Sequence, residues 1–100
     1  MISIYKSAEV KPHIIQLLKN EGLNITEDNI KIWAQDSMSA SQVKLACNNI
    51  KSKGLAPVLV YTNKVPMKSY LQEHEGVRIF DEEDLTILSI RHDSPLLMYF

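Results

Sequence analysis

Asp81-Glu82-Glu83-Asp84 sets four carboxylates in a row directly after the segment VRIF. A cluster of this kind could hold a hard divalent cation, which takes oxygen ligands. Consecutive carboxylates on a turn do not converge on one point, however. They read better as the start of a short helical turn, where acids complement the positive end of the helix dipole. A metal-dependent nuclease would need more: an Asp, and an (Asp/Glu/Gln)-x-Lys on a neighbouring strand end. The carboxylates would hold Mg²⁺ and the lysine would orient or activate water. The strand-like segment IKIWAQDS offers Trp33-x-Gln35 or Gln35-x-Ser37, and neither ends in lysine. Gln42-Val43-Lys44 has the right letters on a helical segment. Glu9-Val10-Lys11 has no Asp before it to complete the site. No catalytic residue is therefore expected.

The remaining chemistry-bearing residues are scattered. His13, His74 and His92 are far apart, with no metal-ligand spacing. His74 reads as a packed residue near a helix C-terminus and His13 as a surface residue. Cys47 is the one cysteine. It falls on an apolar helix face with no basic surroundings to lower its pKa, so a buried thiol is expected and not a nucleophile. A disulfide within the chain is excluded, which suits a reducing, intracellular compartment. Three glycines, Gly22, Gly54 and Gly76, all sit at helix ends, so there is no P-loop and no dinucleotide fingerprint. Ser37, Ser39 and Ser41 are better explained by capping than by nucleophilic catalysis. No metal and no cofactor is expected.

Elements of a small α/β domain must position these residues. The chain has 100 residues, 45% of them hydrophobic, and a net charge of −1. That is enough for one domain, 1–100, with a modest core. It is not the basic balance of an autonomous nucleic-acid binder. No apolar run approaches the ~20 residues that span a bilayer, so no membrane contact is expected. The N-terminus MISIYKSAEV lacks the apolar stretch of a signal peptide.

Residues 2–5 read as a weak strand or an extended arm. Val10, Ile14, Leu17 and Leu18 then share one helix face, with Pro12 in the first turn and Gly22 just past the end. NITEDN is a turn or one short helical turn, with Thr26 as its cap. IKIWAQ alternates as a half-buried strand. Trp33 lies on its polar-facing side, either covering the second sheet face under a helix or standing as a partner-binding anchor. Ser39 and Gln42 form a capping box ahead of a face made by Val43, Ala46, Cys47 and Ile50, which leaves Lys44, Lys51 and Lys53 in water. VLVYT shows no alternation, as expected of a strand covered on both faces. Pro66 begins a further helix whose face is Met67, Tyr70, Leu71 and His74, closed by Gly76. VRIF is a strand, LTILSI a possible last strand, and SPLLMYF an apolar end. The order predicts neighbouring parallel strands joined by right-handed crossovers.

Three segments in this order, LKNEGLNIT, PVLVYTNKVPMKSYL and LTILSIRHDSPL, carry a resemblance. The chain resembles the N-terminal jaw domain of the fifth subunit shared by eukaryotic RNA polymerases I, II and III. Glu21-Gly22-Leu23 with Ile25-Thr26 stands where that family has an Arg-Gly-Tyr-like turn and an (I/V)T step. Val65-Pro66-Met67-Lys68 stands where it has a TPSA(K/M) segment. Residues 88–95 stand where it has an NITxHELVPxH element. The family's β-rich stretch between the first helix and the strand aligned with IKIWAQ has no counterpart here, nor has its C-terminal assembly domain.

The resemblance implies a restriction-endonuclease-like fold in shortened form: a small three-layer α/β domain with a mixed or parallel central sheet and no nuclease site. It implies a non-catalytic component of a DNA-directed RNA polymerase or related transcription machinery, near downstream duplex DNA, and hence in the nucleus. Lys64, Pro66 and Lys68 would contact the nucleic acid weakly. Trp33 and His92 would contact polymerase large subunits or other proteins. The same core also resembles the Mrr-type restriction domain, which implies a metal-dependent DNA endonuclease or its inactive relative acting as a protein-interaction module.

Overall fold

The computed structural model describes residues 10–33, 39–61, 65 and 67–99; the side chains of Trp33 and Tyr99 fall outside that description. The element order is α1 (Lys11–Asn20), β1 (Ile30–Trp33), α2 (Ala40–Lys51), β2 (Val58–Tyr61), α3 (Lys68–Glu75), β3 (Arg78–Phe80), α4 (Glu82–Arg91) and a 3-10 helix (Pro95–Tyr99). The three strands form a parallel sheet in the order β1-β2-β3. Register sets Leu59 between Lys31 and Ile79, and Val60 between Ile32 and Phe80.

All four residues of β2 are buried. Their alternation divides the core between two faces. Val58 and Val60 join Ile14, Leu17 and Leu18 of α1, Leu85 and Leu88 of α4, and Leu96 of the 3-10 helix. Leu59 and Tyr61 join Val43, Cys47 and Ile50 of α2, Leu71 of α3, and Ile79 of β3. The result is a three-layer α/β arrangement. Both crossover helices, α2 and α3, cover one face of the sheet, as two connections of the same hand require.

Local signals account for most boundaries. Pro12 sits in the first turn of α1, and Gly22 follows its end at φ 96°. Ser39 Oγ accepts from the Gln42 amide while Gln42 Oε1 accepts from the Ser39 amide, completing the box that starts α2. Gly76 ends α3 in the left-handed region at φ 64°, where a Cβ would be strained.

Two expectations are corrected. LTILSI is not a strand: it forms most of α4, and Leu85, Leu88 and Ser89 face the interior at helical spacing. Asp81 and Asp84 start that helix with a second reciprocal capping box, which the β-branched residues Thr86, Ile87 and Ile90 do not overcome. The apolar face assigned to α3 also fails. Leu71 is its one buried residue, whereas Met67, Tyr70 and His74 are exposed. Met67 precedes the helix in the left-handed conformation, so the helix starts later and the face shrinks. Tyr70 and His74 stack on each other outside, with centroids 4.2 Å apart. The expected arm at 2–5 lies outside the described residues.

Candidate functional site

In parallel α/β sheets, ligands bind beyond the carboxyl ends of the strands. Here Lys68, Asp81 and Asp84 meet at that edge. Lys68 opens α3, Asp81 follows the last residue of β3, and Asp84 lies in the first turn of α4. The Lys68 ammonium pairs with the Asp84 carboxylate and lies 3.6 Å from Asp81 Oδ2. Asp81 Oδ1 accepts from the Asp84 amide, and Asp84 Oδ2 accepts from the Asp81 amide, each at 3.1 Å. The resemblance implies that Lys68 is open to a nucleic acid. Its side chain is 25% exposed and its charge is taken up by the two carboxylates. Lysine and carboxylate are 16 residues apart in the chain, and no local pattern signals their meeting.

Partial burial raises the pKa of Asp84, but the Lys68 hydrogen bond, the Asp81 amide and the Lys68 charge outweigh it and hold the carboxyl below its usual range. A second cluster lies at the opposite edge of the sheet, where α1 and α4 both end. Glu21 Oε2 is 2.7 Å from His92 Nε2, and Glu21 Oε1 accepts from Arg91 at 2.7 Å. The His92 hydrogen bond is the main cause that lowers the Glu21 pKa, with help from the charges of Arg91 and His92. His92, expected at a partner surface, thus ties the two helix ends together. A carboxyl whose pKa is lower in the folded chain stabilises the fold above its unfolded pKa. That contribution is lost as pH falls through the folded value. Unfolding midpoints should therefore decline on acidification through the carboxylate range. Lys68→Ala and His92→Ala should each flatten that decline, as read by urea titration across pH. An acid limb identical in both variants and the parent would refute the role of these pairs.

The sequence-derived residues are not gathered into one site. Lys68 and His92 stand at opposite ends of α4, a helix about 15 Å long. Lys64 and Pro66, and the side chain of Trp33, lie outside the described residues. Of the nuclease-like triplets, Lys11 opens α1 and Lys44 lies on α2, so neither lysine is strand-borne; Glu9 lies outside the description. Among the described residues, no three His, Cys, Asp or Glu side chains are grouped to hold a metal ion. Cys47 is fully buried, and burial pushes its thiol pKa up.

No family model, curated protein or solved structure matches the chain.

The concave features among the described residues include two surface clefts of about 370 Å³. One runs past Glu21, Pro57, Gly76 and Arg78 where β2 and β3 begin, on the far edge from Lys68. The other is lined by Lys11, Pro12, Ile15 and Glu27 beside α1. Neither gathers a nucleophile with a base. Among the described residues, no helix is long and apolar enough to cross a membrane.

Proposed function

We propose that the chain is a non-catalytic module of transcription machinery, a shortened restriction-endonuclease-like domain of the polymerase-jaw kind. Its family assignment rests on the sequence resemblance over the segments around Gly22, Pro66 and His92. Its non-catalytic character is carried by one observation. The lysine and carboxylates at the strand ends are spent on each other and on two helix-cap amides. Each carboxylate accepts a helix-cap amide, and a lysine paired with both is not a free base.

In this reading, Lys64 and the backbone amides near the start of α3 are the phosphate contacts. Lys68 instead anchors that helix to α4. The chain should bind duplex DNA no tighter than ~10⁻⁴–10⁻⁶ M, with strong salt dependence. Lys64→Ala should lower the slope of log K against log[salt] by about one, and Lys68→Ala should leave it unchanged. Fluorescence anisotropy with a labelled duplex across a salt series measures both. Binding indifferent to Lys64 would remove the DNA role. RNA polymerase large subunits should co-purify from native lysate; their absence would remove the transcription assignment.

The runner-up, a metal-dependent endonuclease, draws on the same cluster, which sets a lysine between two carboxylates beyond the carboxyl end of the sheet, although Lys68 and Asp84 stand on helices and not on strands. A plasmid-nicking assay with Mg²⁺ or Mn²⁺ separates the readings. Cleavage abolished by Asp81→Asn, which keeps a good helix cap, would replace the non-catalytic proposal.

A further inference from the structure

The outer face of α4 carries Glu83, Ile87 and Ile90, at i, i+4 and i+7, with Arg91 on its flank. Ile87 is 50% exposed and Ile90 66%. The 3-10 helix that packs against α4 exposes Leu97 and Met98, the latter 83% exposed. Scattered exposed apolar residues are ordinary; two isoleucines that share one helix face, with an acid before them and an arginine after, form a stripe. The order along that face is acid, isoleucine, isoleucine, arginine. Reversed end to end it is its own complement.

We propose that this face docks on the same face of a second copy of the chain, with the two α4 helices antiparallel. A two-fold axis near Ile87 and Ile90 buries the four isoleucines against one another. It brings Glu83 of each copy towards Arg91 of the other, and it sets the two helix dipoles head to tail. The Arg91 guanidinium has five N–H donors and its side chain is 57% exposed, so its bond to Glu21 leaves donors for a second carboxylate. A different protein would have to present this order in reverse, which the chain already does for itself. The face of a helix about 15 Å long, with one short turn added, falls below the ~800 Å² per partner of a standard interface. The dimer is therefore weak and concentration-dependent, and it is independent of the transcription assignment.

Sedimentation equilibrium of the full chain from about 10 μM to about 1 mM tests this. The expected mass climbs from monomer towards dimer and stops there, because a two-fold contact closes on itself. Ile90→Lys should raise the dissociation constant about tenfold or more, since each dimer loses the residue twice. Glu83→Arg, which faces Arg91 of the second copy, should also weaken the dimer and make the loss greatest at low salt. Circular dichroism of both variants should match the parent, because both side chains are exposed in the monomer. Monomer mass at every concentration, growth beyond a dimer, or a dimer indifferent to both substitutions would overturn the proposal.

Discussion

Leu59→Ala is expected to cost about 2–5 kcal/mol of folding stability. Leu59 is fully buried at the middle of the central strand, between Lys31 and Ile79 of the flanking strands. Its side chain packs in the layer made by Val43, Cys47, Ile50 and Leu71. Truncation removes buried methyl groups and leaves a cavity that two helices and a sheet cannot readily collapse. A domain of this size holds roughly 5–15 kcal/mol in total, so this one change takes a large share. Denaturant titration should show the midpoint falling with an unchanged slope. A loss under about 1 kcal/mol would mean that α2 and α3 do not cover this face, and the three-layer packing would be wrong.

Asn29→Ala is expected to cost about 2–3 kcal/mol, from the exposure of backbone groups that lose their partner. Asn29 is 3% exposed, directly before β1. Its amide nitrogen donates to the Asn24 carbonyl at 2.9 Å and to the Ala56 carbonyl at 3.0 Å. Its side-chain oxygen accepts from the Thr26 amide at 2.7 Å and from the Thr26 hydroxyl at 3.3 Å. The two donors and both lone pairs of the side chain are thus used. It ties the turn before β1 to the loop before β2. The backbone carbonyl of Asn29 also accepts from the Val58 amide at 2.9 Å, fixing the start of the β1–β2 ladder. Asn29→Asp should not rescue stability, because a carboxylate cannot donate to the two carbonyls. Thermal or denaturant unfolding of both variants decides this; a loss within about 0.5 kcal/mol for Asn29→Ala, the range of ordinary surface changes, would show that water replaces the amide.

Features that depend on neighbours within about four residues were legible in the chain itself. The Ser39–Gln42 box, the buried faces of α1 and α2, and the non-alternating β2 follow from periodicity and capping, which are local. Asp81 and Asp84 were equally local, and their capping spacing outweighs the strand-like composition of LTILSI once the helix has a core to pack on. Tertiary structure alone decided the rest. Asn29 looked like one more polar residue in a turn; its importance comes from Ala56, 27 residues away. The resemblance set Lys68 against a nucleic acid; the turn from β3 into α4 delivers Asp81 and Asp84 to it, and their carboxylates take up its charge. His92 looked free for a partner; Glu21, 71 residues earlier, claims it. Ion pairing and buried hydrogen bonding are set by distances in space, and chain separations of this size carry no periodic imprint. The residues alone thus specified α1, α2 and the central strand and the faces they bury, while the fold determined the last helix, the narrow buried face of α3 and which polar groups remain available for function.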